Sequence, residues 1–560
     1  MKKIIKKRAF LVMLISIMGL FMTACSRSGD KGVGSNTLVI GTSSFNGIFS
    51  PFFSQTGYDA QAIELVFVNV CELNENNELV DKAGHIEAEL LENEDGTIQT
   101  LYTITLQENM HFSDGEPVTI DDLIFSYYVL ADPAYDGTDT FASSIDIVGL
   151  KEYVNDDLAD GVDIESISGI KKVDELTCRV LVNGINVIGD RILTQLSIVP
   201  KHYYGEGFEK GRLDGVKAKN DAPMGSGPFV WVSYENNIVT VKRNEDYFLG
   251  TPKIEYVKYQ VIDEEQKIDA IINGDIDITD PSASIEVVGQ LEAAGIPYSL
   301  TGYPGYGYIA ISAKRVPDLK VREGLMHLMT RTQAIKTYYG EMAQVIERPM
   351  TPTLTEYPDD AEEYWGYDPQ KALECFKEAG YEQINGKLVK DGKQLVVEIG
   401  IGEAASHPST PILTQMANDL KAMGGQLIIS DMDFSLLNNR VQNDNLDMWV
   451  MVWGNVTNCD MTQLYGSEYV KAGGSNRTWI QDERLDKLME EIMQTFELEE
   501  RKKLVAEALD MVMSWATMLP VYQRNEMLVY NPDRVNMDTI PQNTSTYYNY
   551  VNEIEKLEVY

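Results

Sequence analysis

The segment His111-Phe-Ser-Asp-Gly-Glu-Pro-Val-Thr-Ile-Asp-Asp-Leu-Ile-Phe-Ser126 joins a tight turn to the start of a helix. Asp114-Gly115 is a residue pair typical of turns. Thr119 is followed three residues later by Asp122, which is a capping-box spacing, and apolar residues come next. The segment therefore predicts a turn at 114–115 and a helix that begins after Thr119.

The chain alternates strand and helix patterns on both sides of this segment. Asn273-Gly274 ends one of the helices, because both residues tolerate a left-handed backbone. Mixed elements of this kind predict an α/β protein. Apolar and β-branched runs predict strands at 37–41, 101–106, 238–242 and 254–261, and helical periodicity predicts helices at 264–272, 318–340, 368–380, 408–423 and 482–516.

Length and charge limit the classes of protein that this chain can represent. With 560 residues, 44% of them hydrophobic, the chain is long enough for several domains and a large core. It carries 47 Lys and Arg against 86 Asp and Glu, a formal net charge of -39. Nucleic-acid binders need clustered basic residues, so the charge argues against that class.

The first 36 residues have the pattern of an export signal and a tether. Residues 1–24 combine a basic start with an apolar run that is too short to span a membrane, which predicts a cleaved signal. Cys25 follows Ala24 and resembles the lipid-modified Cys of a bacterial lipobox, although Met22 replaces the usual Leu. An ordinary signal with a chance Cys is the alternative. Residues 25–36 are rich in Gly and Ser, which predicts a flexible tether.

The remaining cysteines and the histidines show no spacing typical of a metal site. Cys375 lies on the apolar face of a predicted helix, where we expect it to be a core residue. Outside the cell a disulfide between Cys71 and Cys178 stays open as an alternative. We predict no metal and no cofactor. The residues concerned are Cys71, Cys178, Cys375 and Cys459, and His85, His111, His202, His327 and His407.

The opening segment resembles the signature of the bacterial extracellular solute-binding proteins of family 5, the peptide- and nickel-binding components of ABC importers. Further likenesses follow in the order of the family and span most of the chain. They are Met224-Gly-Ser-Gly-Pro-Phe229, Arg243-Asn-Glu-Asp-Tyr-Phe248, Ile271-Ile-Asn-Gly-Asp-Ile-Asp277, Lys320-Val-Arg-Glu-Gly-Leu325, Tyr367-Asp-Pro-Gln-Lys-Ala372 and Glu378-Ala-Gly-Tyr381.

The resemblance implies a periplasmic-binding-protein-like α/β fold of type II, with two hinged lobes and an extra domain inserted in lobe I. Such lobes close around a solute, and binding selects the closed state. The implied boundaries are 37–72, 186–298 and 524–560 for lobe I, 73–185 for the inserted domain and 299–523 for lobe II.

The function implied by the resemblance is capture of a peptide for import, without catalysis. The expected partners are an ABC permease, its ATPase subunits and the membrane, reached through a lipid on Cys25. We expect a monomer at the outer face of the cytoplasmic membrane, or in the periplasm if there is an outer membrane. The acidic body predicts a neutral or basic peptide of a few residues.

The resemblance also implies ligand-binding positions in both lobes. In peptide-binding relatives a Trp-Gly-Ala-Asp segment supplies an Asp for the amine of the ligand; here Trp453-Gly454 matches its start and Val456 stands at the Asp position. Asp460 or another acid then has to substitute, or the ligand lacks a free amine there. The candidate residues are Gln55, Thr56, Gly57, Tyr58, Phe141, Tyr303, Tyr306, Trp453, Gly454, Asn455, Asp460 and Tyr522.

Other interpretations stay open from sequence alone. The plain structural alternatives are a surface turn at residues 55–58 and burial of Trp453 and the tyrosines in the core. A receptor for a metal chelate or an oligosaccharide is the nearest functional alternative in the same family. A secreted hydrolase is more remote, since neither Gly-x-Ser-x-Gly nor His-Glu-x-x-His occurs. A sensory or adhesive lipoprotein would bind solute without a permease.

Overall fold

The computed structural model describes residues 36–155, 164–454, 456–471 and 474–560. Strands and helices alternate along the chain, as the sequence patterns predict. Within these ranges no helix combines the length and apolar character needed to cross a membrane. Cys25 and the signal segment lie outside the described residues.

The strands carry the labels used below. They are β1 (Thr37–Thr42), β2 (Cys71–Leu73), β3 (Leu79–Asp81), β4 (Gly84–Glu92), β5 (Ile98–Leu106), β6 (Ile170–Lys172), β7 (Thr177–Asn183), β8 (Phe229–Glu235), β9 (Ile238–Arg243), β10 (Tyr256–Val261), β11 (Ile278–Thr279), β12 (Tyr298–Gly302), β13 (Tyr306–Ile311), β14 (Ala343–Gln344), β15 (Glu382–Ile384), β16 (Lys387–Lys390), β17 (Lys393–Gln394), β18 (Val396–Ile401), β19 (Gln426–Asp431), β20 (Met448–Trp453) and β21 (Met518–Tyr530).

The helices are named by their residue ranges. They are Gly57–Glu64, Ile120–Leu130, Phe141–Ser144, Leu150–Val154, Gly189–Thr194, Lys201–Tyr204, Asp214–Lys217, Lys267–Asn273, Ile285–Ala294, Leu319–Met326, Thr332–Tyr339, Pro369–Glu378, Thr410–Met423, Phe434–Gln442, Thr462–Tyr465, Glu483–Gln494 and Leu498–Ser514.

One long strand, β21, joins two halves of a large sheet. Its first residues pair antiparallel with β13, and its later residues pair with β12 and β11. Beyond β13 the sheet continues as β20, β18 and β19, and beyond β11 it continues as β1, β10, β9 and β8. At about 3.3 Å per residue, the 13 residues of β21 extend about 43 Å, enough to run through both halves. The short connection between β12 and β13 is a second place where the chain passes from one half of the sheet to the other.

Separate hydrophobic cores define two lobes around these crossings. Lobe I packs on β1 and β8–β10, with cores that include Leu38, Val257 and Ile271. Lobe II packs on the two faces of the β13–β20–β18 region, with cores that include Ile399 and Leu509. The inner strands of each half-sheet pack on both faces, which is typical of sheets covered by helices. The two lobes are therefore separate hydrophobic units connected by strands.

An antiparallel sheet in the order β4-β5-β7-β6 lies within the region predicted as the inserted domain. Tyr102 and Val180 of this sheet belong to the same hydrophobic cluster as Leu38 of β1. The sheet therefore packs directly on lobe I and shares its core. The domain boundaries themselves stay a prediction.

Most local sequence predictions match the elements. The helix after Thr119 begins at Ile120, and the Thr119 hydroxyl and backbone N–H both bond the Asp122 carboxylate. Gly274 ends the helix Lys267–Asn273 with a φ of 75°. Two predictions are wrong in extent: the single helices expected at 318–340 and 482–516 are each divided into two helices.

The cysteines that the structure describes are buried free thiols. Cys71 and Cys178 are therefore not joined by the disulfide that the sequence left open. Burial raises the pKa of Cys71 to about 11 and that of Cys178 to about 12. Cys375 is buried, as expected, beside Phe376 on the inner face of its helix. Thiols of this kind are unreactive near neutral pH.

Candidate functional site

A cavity of about 900 Å³ lies where the two lobes meet. Its main wall is the helix Gly57–Glu64, which we call the cavity helix. Residues 138–140, from the region predicted as the inserted domain, form a second wall, and Thr546, Tyr547 and Asn549 form a third. Thr457 borders the cavity from lobe II. The volume lies at the upper end of the usual range for ligand pockets, about 300–1,000 Å³.

The start of the cavity helix is held by a buried carboxylate. Thr56 is the N-cap, and its hydroxyl accepts a hydrogen bond from the Asp59 N–H at 3.2 Å and donates one to Asp59 Oδ2 at 2.6 Å. Asp59 is fully buried and also accepts from the N–H groups of Asn46 and Gly47. Because a charged acceptor satisfies several donors at once, the loop after β1 and the helix form one rigid wall.

One face of the cavity helix borders the cavity throughout its length. Gly57, Ala60, Gln61 and Glu64 all line it, at the i, i+3, i+4 and i+7 spacing of one helical face. A Cβ at Gly57 would find no atom within 4 Å, so its backbone is open to close approach.

The cavity is acidic. Its charged lining residues are Glu64, Glu72, Asp139 and Lys82. Burial raises the pKa of the Glu64 carboxyl, Lys82 partly offsets the rise, and Glu72 adds to it. Burial likewise raises the pKa of Asp139, while hydrogen bonds from the N–H groups of Phe141 and Thr140 oppose the rise. Lys82 is already paired with Glu72, at 2.5 Å between Nζ and Oε2.

Polar contacts bring the lobes together at the edge of the cavity. The Tyr547 hydroxyl donates to the Val456 carbonyl at 2.8 Å, and Arg191 Nη1 lies 3.4 Å from the Thr457 carbonyl. The Val187 N–H donates to the Met493 carbonyl at 2.9 Å. Both lobes therefore contact each other and border one cavity.

The predicted lobe I residues 55–58 lie at the start of the cavity helix. Gly57 lines the cavity, and Thr56 is the helix cap. Gln55 and Tyr58 are exposed. The structure thus brings this segment to the mouth of the cavity, and the part of each residue in binding stays a prediction.

Tyr303 and Gly454 lie against each other beside the crossing strands. A Cβ at Gly454 would lie 2.3 Å from the Tyr303 hydroxyl, so the glycine makes room for the ring. The Arg524 guanidinium lies 4.8 Å from the Tyr303 ring centroid, a cation–π contact. Burial raises the pKa of Tyr303, and Arg524 opposes the rise.

Three other aromatic candidates are buried in hydrophobic cores. Phe141 stacks on Tyr127, with ring centroids 5.3 Å apart. Tyr306 is 1% exposed, and Tyr522 packs against Tyr339 at 5.2 Å. Contact with a ligand would require these side chains to move, and their binding roles stay predictions.

The remaining lobe II candidates surround the end of β20. Trp453 is partly exposed and borders a small cavity of about 20 Å³ together with Arg477. Asp460 is exposed, and its carboxylate accepts from the Thr462 N–H at 2.9 Å at the start of the helix Thr462–Tyr465. Asp460 does not line the large cavity. Asn455 falls outside the described residues.

Sequence reasoning missed most polar residues of the cavity, and four of them matter most below: Glu64, Lys82, Asp139 and Tyr547. A signal existed only for Glu64, which lies seven residues after Gly57 and therefore on the same helical face. The other three come from distant parts of the chain. Among the residues that the structure describes, no His, Cys, Asp and Glu side chains form a group of three or more suited to a metal ion.

Curated relatives resemble this chain over most of its length. The oligopeptide-binding protein AppA of Bacillus subtilis is 24% identical over 87% of this chain and 88% of its own length. Heme-binding protein A of Haemophilus influenzae is 22% identical over 90% of this chain and 91% of its own. The relatives thus include proteins named for different ligands.

A solved structure supports the fold, and a family model matches the sequence. Bacillus subtilis AppA in complex with a nonapeptide superposes with a TM-score of 0.71 over 94% of this chain and 99% of that chain, at 20% identity, which confirms the two-lobe fold. The model described as "Bacterial extracellular solute-binding proteins, family 5 Middle" matches residues 86–475. The chain therefore belongs to the bacterial extracellular solute-binding proteins of family 5, which bind solutes for transport and are not enzymes.

Proposed function

We propose that this protein is the lipid-anchored binding component of an ABC importer that captures a peptide between its lobes and delivers it to a permease. The observation that carries the proposal is the cavity of about 900 Å³ bordered by both lobes. A solute held there contacts both lobes at once, so its binding free energy favours the closed state. A permease with its ATPase subunits would distinguish the closed receptor from the open one by shape.

A peptide fits the chemistry of the cavity walls. Gly57 has open backbone, and a peptide presents the same backbone donors and acceptors whatever its sequence. Hydroxyl and amide side chains such as Gln61, Thr140 and Asn549 add adaptable hydrogen-bonding groups. Relatives named as oligopeptide-binding and di/tripeptide-binding proteins support this choice.

Native mass spectrometry of the full chain, purified under mild conditions, tests the cargo. We expect a population of bound peptides of a few residues, neutral or basic in charge. Adding a defined peptide mixture after the bound material has been removed should restore the complexes with the peptides chemically intact. Recovery of a metal chelate or a sugar alone would contradict the peptide proposal, and cleavage of the added peptides would contradict a binding role.

The membrane anchor is a separate part of the proposal and rests on the sequence around Cys25. We expect most of the wild-type protein in the membrane fraction of the bacterium that makes it, with the thiol of Cys25 lipidated. The substitution Cys25→Ser should move the protein to the soluble fraction and remove the acyl mass while leaving peptide retention unchanged. Membrane recovery of the C25S variant equal to that of the wild type would contradict the anchor.

A further inference from the structure

Glu64 is a carboxylate in the lining of the cavity. It is the last residue of the cavity helix, and its side chain is accessible because it borders the cavity. Its side chain is exposed to the space of the cavity, and burial is the main reason for its raised pKa. Among the described residues, its carboxylate has no hydrogen-bond or ion-pair partner. Such a group is costly to keep charged unless a cation enters the space beside it.

Lys82, the cation in the cavity wall, does not compensate the charge of Glu64. Lys82 Nζ lies 2.5 Å from Glu72 Oε2, so its charge is already compensated. Lys82 lowers the pKa of Glu64, but the net shift remains upward. The Lys82–Glu72 pair therefore leaves Glu64 as an uncompensated negative group.

Asp139 is a further carboxylate in the cavity wall, from the region predicted as the inserted domain. Its Oδ1 accepts a hydrogen bond from the Phe141 N–H at 2.7 Å, and no cation is paired with it among the described residues. With Glu64, Glu72 and Asp139 ionised, Lys82 compensates one of three negative charges, which leaves the lining at about −2. The protein as a whole carries -39, so its field also attracts cations.

We propose that the cavity selects solutes that carry a positive charge, and that Glu64 is the counter-charge that binds this group. The inference rests on the proposed peptide function and specifies its ligand: a peptide with a free terminal ammonium, or with a Lys or Arg side chain, that lies against the end of the cavity helix. Asp139 adds attraction from another part of the cavity wall. Lobe I thus supplies the charge that the Val456 position in lobe II lacks.

Removing the charge of Glu64 while keeping its shape tests this proposal. The probes are a library of random tri- to pentapeptides, prepared in free-amine and N-acetylated forms, offered to the full-length protein at neutral pH. N-acetylated peptides with Lys or Arg report a side-chain cation, and free-amine peptides without Lys or Arg report the terminal ammonium. N-acetylated peptides without either residue are the reference. Bound peptides are counted by mass spectrometry.

We expect wild type to retain one or both cationic classes in preference to the reference. Glu64→Gln should reduce that preference about tenfold or more, since the charged partner of the ligand cation is lost from the cavity. Asp139→Asn should reduce it less. Glu490→Gln, at an exposed position in the helix Glu483–Gln494, should leave it unchanged. An equal preference in E64Q and wild type, or no preference in wild type, would overturn the assignment.

Thermal unfolding of the empty protein gives an independent readout. Because an uncompensated carboxylate destabilises the empty state, E64Q should unfold at a higher temperature than wild type, although it binds cations less well. A lower unfolding temperature for E64Q would mean that Glu64 has a structural partner and would overturn the proposal. Failure of the wild type to retain any peptide class would instead refute the proposed peptide function itself.

Discussion

Gly227→Ala is expected to destabilise the protein by about 3 kcal/mol, because a methyl group has no space at this position. A Cβ at Gly227 would lie 2.5 Å from both the Leu65 carbonyl oxygen and the Val66 carbonyl carbon. Both are backbone atoms, which cannot rotate away as the end of a side chain can. The Gly227 N–H also donates to the Val66 carbonyl at 2.9 Å, so relief of the clash would break a backbone hydrogen bond.

Urea unfolding of the empty protein measures this effect. The matched control is Gly289→Ala, within the helix Ile285–Ala294, where a Cβ would meet no atom within 4 Å. Since alanine favours the helix, G289A should stabilise the protein by about 0.5–1 kcal/mol. Opposite signs for the two variants would support the close approach at Gly227, and a neutral G227A would contradict it.

The close approach at Gly227 also shows what a sequence motif contributes beyond periodicity. Met224-Gly-Ser-Gly-Pro-Phe229 has neither a helical nor a strand pattern, and only its likeness to the family marked it as significant. In the structure its glycines lie on the backbone at Leu65 and Val66, immediately after the cavity helix. The motif is therefore a packing device that fixes one end of the cavity wall.

Local chemistry was sufficient where the neighbours in sequence determine the backbone. The Thr119–Asp122 box and the Asn273-Gly274 ending depend on contacts within one turn, and both are present. The predicted helix at 482–516 was wrong because apolar spacing continues across its break. There Thr495 adopts an extended backbone and Glu497 is the N-cap of the next helix.

The charged residues of the site could not be identified from local sequence patterns. With 86 acidic residues, sequence offers no means to decide which carboxylates face an internal space. Glu64 and Asp139 are distinguished by packing between distant segments, since one is the last residue of a helix of lobe I and the other lies in the region predicted as the inserted domain. The sequence did indicate the missing acid at Val456, and the structure shows where other acids lie.

The second large effect is expected at Arg331, a buried cation that connects β21 to the rest of lobe II. Its side chain is almost fully buried, and Nη1 donates to the carbonyls of Ile346 and Pro520 at 2.8 and 2.9 Å. Nη2 donates to Glu347 Oε2 at 2.8 Å. Arg331→Met keeps an apolar stem but leaves these acceptors unpaired, which should cost about 3–5 kcal/mol.

Chemical unfolding of R331M beside Arg484→Met separates buried from exposed charge. Arg484 also pairs with a carboxylate, that of Glu507, but its side chain is 72% exposed. An exposed pair contributes at most about 1 kcal/mol, so R484M should stay close to wild type. Because Pro520 belongs to the strand that joins the lobes, R331M should also weaken peptide retention. Equal stability losses in the two variants would mean that water reaches Arg331 and that its carbonyl contacts do not hold the crossing strand.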